Sequence, residues 1–309
     1  MIFDLLTVAA AFVAGLVLYP PLIRGLRRLH VGQVIQEELS EEHQRKKGTP
    51  TGGGILFVVF GIVGGLLSLN MHPGALPATV ALALFGLLGL LDDLAKLSVG
   101  RVGIPARLKF PIQLALAVPV AWLAHGPQHF IPAGLDWVYW PLALLVIAGA
   151  ANAVNLNDGI DGLAGGGAVI ALLGVAVVLP GATPGERAVA MTLIGGLVAF
   201  LVFNHYPARI FMGDTGSLGL GAALAAMALQ QGWALLLLLT GAVFVVETLS
   251  VMMQVAYFKA THGRRIFRMT PIHLTFQLKG WSENRIALTF WGAGAVAAIV
   301  SGWIASAAS

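Results

Sequence analysis

Cysteine is missing from all 309 residues, and only 10% of them are charged, with 14 acidic side chains in total. The first absence removes disulfide frameworks, thiolate metal sites and thiol nucleophiles together. The second removes a soluble globular domain, which ordinarily carries about 25% charged residues. The chain also lacks a Walker sequence for cradling nucleotide phosphates, a helical zinc-protease motif and an internal repeat of the kind many transporters carry. What is abundant is apolar: 58% of residues are hydrophobic, spread along the whole length. The 39 glycines and 15 prolines fit that setting, because both are commoner in membrane helices than in soluble ones.

A membrane helix needs roughly 20 apolar residues to cross the hydrocarbon. About ten such runs are expected, near 2–23, 52–69, 78–95, 107–124, 138–156, 163–179, 187–203, 216–230, 233–257 and 286–306. The stretch 216–257 is too long for one crossing, so a turn is expected at Gln230, Gln231 and Gly232. The expected fold is all-α: one integral membrane domain over 1–309, a polytopic bundle of about ten transmembrane helices with both termini external. The first run is followed, not preceded, by arginines (Arg24, Arg27, Arg28), the reverse of a cleavable signal peptide, so it counts as a span. With the N-terminus outside, the odd-numbered connections face the cytoplasm and hold every Lys and Arg except Arg187. That is the partition that orients membrane proteins. It also accounts for the net charge of +4 without nucleic-acid binding.

The acidic residues are few enough to place one by one. Glu37, Glu38, Glu41 and Glu42 form a solvated stretch in the first long loop, whereas Asp92, Asp93, Asp158, Asp161 and Asp214 fall at the cytoplasmic ends of spans in three connections. A carboxylate at the edge of hydrocarbon is costly unless paired, hydrated or metal-bound. Asp92 and Asp93 close an apolar run, and an interfacial cap would explain such a pair as well as a metal would. The segment Asn152–Gly162 is more specific, with three amides and two carboxylates between apolar runs. Asp158 and Asp161, three apart, can share a helical face, and all-oxygen ligands suit Mg²⁺ bridging carboxylates to substrate phosphates. Asp214, in a Gly-Asp-Thr-Gly turn before a new span, could cap that helix or hold a cation opposite the others. The loop 258–285 carries Arg264, Arg265 and Arg268, which by themselves suggest orientation or headgroup contact. Together these parts describe a cytoplasm-facing pocket for phosphoryl transfer, a reaction that depends on positioning and charge neutralisation.

Six segments carry a resemblance: Lys46–Thr51, Leu91–Asp93, Gly103–Lys109, Asn152–Gly162, Met212–Ser217, and Arg265–His273 followed by Leu278–Trp281. In this order they resemble the polyprenyl-phosphate N-acetylhexosamine-1-phosphate transferases, and within them the branch that transfers phospho-MurNAc-pentapeptide. The resemblance implies ten helices in a bacterial cytoplasmic membrane, with the active site on the cytoplasmic side. It implies Mg²⁺-dependent transfer of phospho-MurNAc-pentapeptide from UDP-MurNAc-pentapeptide to undecaprenyl phosphate, giving lipid I and UMP. It assigns Asp214 as the leading Mg²⁺ ligand and Asp92 and Asp93 to the lipid phosphate and metal, these three forming the catalytic set. Lys47, Asn155, Asp158, Asp161, Asn204, Phe211 and His273 become substrate-binding residues, with Phe211 a stacking surface for uracil. The chain departs from the family pattern at four places. Leu274 and Thr275 stand where histidines are usual, Gln277 where Glu is usual, and Gly53 where Met is usual. Those departures keep a different UDP-N-acetylhexosamine in play as the donor. An ion-coupled transporter, the reading from another class, would need acids at mid-bilayer, and only Glu247 lies deep in a span. Gly61 and Gly65 offer a close-packing face, either internal or between the two copies of a homodimer.

Overall fold

The computed structural model describes residues 2–28, 48–98, 103–129, 131–132 and 134–308, and among them the only repetitive secondary structure is helical. Lys47 and the acidic stretch 37–42 lie outside the described residues. Twelve α-helices follow in order: α1 (Ile2–Arg28), α2 (Gly54–Ser68), α3 (Leu76–Ser98), α4 (Ala106–Leu123), α5 (Tyr139–Asn157), α6 (Leu163–Leu173), α7 (Pro184–Asn204), α8 (Gly213–Gln230), α9 (Leu237–Thr240), α10 (Ala242–Ala260), α11 (Ile272–Leu278) and α12 (Glu283–Ala308). Each of the apolar runs expected from sequence contains helix. Among the described residues seven helical segments are long and apolar enough to cross a membrane, and two shorter apolar ones, Gly54–Ser68 and Leu163–Val178, accompany them.

Two runs are less regular than expected. The run 163–179 finishes in a π-helical turn at Gly174–Val178. The run 233–257 is not one helix but a short piece, Leu237–Thr240, that breaks at Gly241 before α10 begins. The turn expected at 230–232 is present, with Gly232 at φ +79°.

The exterior of the bundle is as apolar as its interior. On α1, Phe3 is 84% exposed, and on α12, Trp303 is 74% exposed. Helices that satisfy their own backbone hydrogen bonds and present apolar side chains outward are what hydrocarbon solvent requires. The centre is α8, where every residue from Asp214 to Leu229 is buried. Its sequence, mostly Gly, Ala and Leu, lets neighbours approach closely, and its main partners are α3 and α5. Gly89 of α3 is one requirement of that approach, since a Cβ there would collide with the Asp214 carbonyl. This contact sets the C-terminal end of α3, with Asp92 and Asp93, against the N-terminal end of α8. Gly61 and Gly65 are taken up internally, facing Leu193 and Leu82, and Thr79. Of the two uses open to this face, the structure shows the internal one.

Candidate active site

Asp92 sits near the end of α3, Lys109 in the first turn of α4, Asn155 near the end of α5 and Asp214 in the first turn of α8. Antiparallel and parallel crossings bring all four to the same end of the bundle. Lys96, one helical turn after Asp92, places its ammonium 2.8 Å from Asp92 Oδ2 and 2.9 Å from Asp214 Oδ1. Lys109 makes the same bridge, 3.3 Å from Asp92 Oδ2 and in close contact with Asp214 Oδ2. Asn155 Nδ2 donates to Asp214 Oδ1 at 3.0 Å and to Ser217 Oγ at 2.9 Å. The other oxygen of Asp92 accepts the Ile104 N–H at 2.6 Å. Two carboxylates from distant parts of the chain thus point at the same cations.

Asp93 has a different occupation. Its carboxylate accepts the Asp214 N–H at 3.1 Å, the Thr215 N–H at 3.0 Å and the Thr215 hydroxyl at 2.8 Å. These are orphan donors at a helix N-terminus, where a carboxylate is favoured by hydrogen bonding and by the helix dipole. The sequence left open whether Asp214 caps α8 or holds a cation; in the structure Asp93 caps α8, and Asp214 faces the two lysines. Gly213, at φ +77°, turns the chain into the helix just where a side chain would meet Asp93 Oδ2.

Asp158 and Asp161 do not share a helical face. Helix α5 stops at Asn157, and the turn that follows leads into Gly162 at φ +77°, so the two carboxylates diverge. Asp158 accepts the Gly213 N–H, and burial and then the negative charge of Asp214 push it up to about 8. Asp161 instead accepts the Ala208 N–H at 2.8 Å, away from the lysines. Asn204 Oδ1 accepts the Gly162 N–H at 3.0 Å, while its Nδ2 donates to the Ile210 carbonyl at 2.9 Å. Asp161 and Asn204 therefore lace the turn 158–162 to the loop 205–211. That loop meets the residues after Lys47, because Phe211 N–H donates to the Pro50 carbonyl and Gly53 N–H to the Phe211 carbonyl, both at 2.8 Å. Phe211 remains partly exposed.

His273 is 1% exposed, with Nδ1 3.1 Å from Glu247 Oε2, and Glu247 itself is fully buried. Its ring lies under the Asp158 turn, so that a Cβ on Gly159 would stand 2.7 Å from Nε2. Next to it, Thr275 occupies a usual histidine position differently: its hydroxyl donates to the Met269 carbonyl at 2.6 Å and accepts the Met269 N–H at 3.2 Å. Gln254 Oε1 accepts the Ile266 and Phe267 N–H groups. The basic loop is consequently pinned by polar side chains of α10 and α11, and Thr275 serves as a staple where histidine is usual. At the Gly53 departure, Phe200 and Ile210 fill the space beside the glycine.

Lys96, Ser217 and Thr215 were missed in sequence. Lys96 had a signal, since an acid followed four residues later by a base is a helical pair. Thr215 and Ser217 had none beyond their place in the turn. Asn152, which looked like a site amide, is spent on Gln113, with Nδ2 donating to Gln113 Oε1 at 2.6 Å.

The donor set can be tested for a divalent ion. Among the described residues no three His, Cys, Asp or Glu side chains converge as a metal cage. The convergent oxygens are those of Asp92 and Asp214, bridged by ammonium groups. Asp92, Asp93 and Asp214 bring three carboxylates against the two positive charges of Lys96 and Lys109, and Asp158, raised to about 8, adds a fourth negative charge only when it ionises. A hard cation held by one or two carboxylates and completed by water and phosphate oxygens fits this chemistry.

Comparison with known proteins extends the geometry. Residues 75–232 match the model of glycosyl transferase family 4, a span that includes Asp92, Asp93, Asp158, Asp161 and Asp214. The chain is 45% identical over 302 residues to the phospho-N-acetylmuramoyl-pentapeptide-transferase of Heliobacterium modesticaldum, with 94% of each chain covered. It is 42% identical over 315 residues to that of Geobacillus kaustophilus, covering 97% of each. The enzyme of the same name from Listeria welshimeri is 42% identical over 312 residues, with 96% of each covered.

Proposed function

The chain belongs to glycosyl transferase family 4 and, within it, to the phospho-N-acetylmuramoyl-pentapeptide transferases of peptidoglycan synthesis, and from that premise we propose that it transfers phospho-MurNAc-pentapeptide from UDP-MurNAc-pentapeptide to undecaprenyl phosphate on the cytoplasmic face of the bacterial inner membrane. UMP leaves and lipid I is formed. The observation that carries this reading is the convergence of Asp92 and Asp214 on Lys96 and Lys109 at one end of an apolar bundle. An anionic phosphate attacking an anionic diphosphate needs fixed positive charge placed in advance, which costs no reorganisation at the moment of reaction.

In the proposed reaction an oxygen of the lipid phosphate forms a new bond to the β-phosphorus, and the bond from that phosphorus to the bridging oxygen breaks, so that UMP takes the electron pair. Asp214 and Asp92 would hold Mg²⁺, which when bound supplies neutralisation of the diphosphate charge. Lys96 and Lys109 reach the phosphate oxygens when these displace their carboxylate partners. Asn155 orients Asp214. Asp93 keeps the N-terminus of α8 in register, while Asp92 turns its Oδ2 to the site beside Lys96 and Lys109. Asp161 and Asn204 hold the Phe211 loop as a surface for the nucleotide.

A place for the prenyl chain supports the same reading. An apolar groove of about 280 Å³ runs between α5, α8, α9 and α10, lined by Leu145, Val154, Leu224, Leu237, Phe244 and Leu249 among others. Its lining on α5 reaches Val154, one residue before Asn155. A lipid lying there brings its phosphate to the aspartates.

The test is direct. Purified enzyme supplied with UDP-MurNAc-pentapeptide, undecaprenyl phosphate and Mg²⁺ should yield a lipid-linked product of the mass of lipid I, together with UMP. Product from UDP-GlcNAc and none from the muramoyl donor would replace the substrate assignment. With the donor alone no UMP should appear, and a burst of one UMP per site would replace direct attack by a covalent enzyme intermediate.

A further inference from the structure

A second apolar groove, of about 270 Å³, opens on the opposite face of α10. Its walls are Val243 and Val246 of α10, Ile272 and Phe276 of α11, and Phe290 and Ala293 of α12. Val246 and Ala293 are exposed, so the groove opens on the outside of the bundle. Both long helices that line it are apolar enough to cross a membrane, which makes its surroundings hydrocarbon.

The groove ends in a cationic mouth. Phe276, part of its wall, lies 4.9 Å from Trp281 between ring centroids. Lys279 Nζ stands 5.8 Å from the Phe276 ring centre and the Arg285 guanidinium 4.0 Å from that of Trp281. Neither cation has an ion-pair partner among the described residues. The nearby acid, Glu283, is buried and accepts from Asp161 N–H and Gln277 Nε2. Arg264, Arg265 and Arg268 on the adjoining loop add positive charge. An apolar slot that ends at an aromatic and basic rim matches the two parts of an anionic phospholipid: an acyl chain below and a phosphate at headgroup level.

We infer that this groove binds one anionic phospholipid, its acyl chain against Phe276, Phe290 and Ala293 and its phosphate between Lys279 and Arg285. The site is separate from the aspartate cluster and from the groove beside Val154, so it stands or falls independently of the transferase reading.

The experiment uses the full chain reconstituted in vesicles of phosphatidylglycerol and phosphatidylcholine, extracted mildly and examined by native mass spectrometry. One phosphatidylglycerol should be retained in preference to phosphatidylcholine. The double variant K279Q/R285Q should bind it roughly 30-fold more weakly, since each basic residue near a headgroup contributes on the order of fivefold. The charge-conserving K279R/R285K should retain it, which separates charge from folding. Ala293→Phe, which blocks the slot and leaves the cations, should also lower retention. Glycerophosphoglycerol, the headgroup without acyl chains, should not compete. Equal retention of the two lipids, full retention by K279Q/R285Q, competition by the free headgroup, or one-for-one displacement by undecaprenyl phosphate would each overturn the inference.

Discussion

At the end of the bundle that holds Thr183, the buried Glu186 receives the Thr183 N–H at 2.6 Å and Gln231 Nε2 at 3.3 Å, and Thr183 Oγ1 accepts the Glu186 N–H in return. Beside it Arg187 pairs with Asp4 at 2.6 Å. At the opposite end Asp92 and Asp214 share two lysines while Asp93 and Asp158 are held by backbone N–H groups beside them, and Asn157 Oδ1 and Nδ2, Glu247 Oε1, Thr248 Oγ1, Gln254 Nε2 and His273 Nε2 are buried with no hydrogen-bond partner. The Thr183 end also leaves Gln230 Oε1 and Gln231 Oε1 unpaired, but Asp4 has its own cation and Glu186 is met by the Thr183 N–H and the Gln231 amide. Both ends bury charge, so burial of charge by itself does not mark a site. Acids from distant helices that share the same cations, together with unmet hydrogen bonds, do, because a buried polar group without a partner is unfavourable unless something else completes it.

The contrast is broken most severely by removing its central acid. Asp214→Ala should lower kcat by on the order of 10³-fold or more, measured as Mg²⁺-dependent UMP release; near-normal turnover would dissolve the distinction between the ends. Asp93→Ala should cost about 1–2 kcal/mol of stability through loss of the α8 cap, read from denaturant unfolding in detergent. Asp92→Ala should cost less stability, even though both variants lose activity.

Asp158 sharpens the comparison through pH. Its carboxyl is raised to about 8 in the folded protein by burial and by Asp214, from an unfolded value of about 3.9. Between those values the folded chain holds a proton that the unfolded chain has released. Stability of the metal-free protein should therefore fall as pH rises from about 4 to about 8. Asp158→Asn should flatten that slope in thermal melts with chelator, and an unchanged slope would assign it to other groups.

At the Thr183 end effects should be small and confined to stability. Glu186→Gln should cost about 1 kcal/mol as its capping box weakens, with turnover close to that of the unmodified enzyme. Asp4→Asn should cost ~0.5 kcal/mol, since its ion pair with Arg187 is partly exposed. A large loss of turnover in either variant would mean that the ends are coupled.

The membrane class, the helical segments and the aspartates were legible in the linear order of residues. Apolar length and charge placement are local properties, and hydrocarbon admits few backbone solutions. The individual duties were not legible. Asp92 and Asp93 are neighbours in sequence, yet one faces the lysines and the other caps α8, because successive residues on a helix point about 100° apart. Asp158 and Asp161 suggested a shared face until the turn before Gly162 separated them. The break at Gly241 and the burial of His273 against Glu247 likewise depend on residues far away in the chain. Composition and periodicity determined that this chain is a membrane-spanning helical protein with acids gathered in a few connections. Only the packing of α3, α4, α5 and α8 decided which of those acids meet and which cations stand between them, because such contacts depend on how helices approach and not on their order.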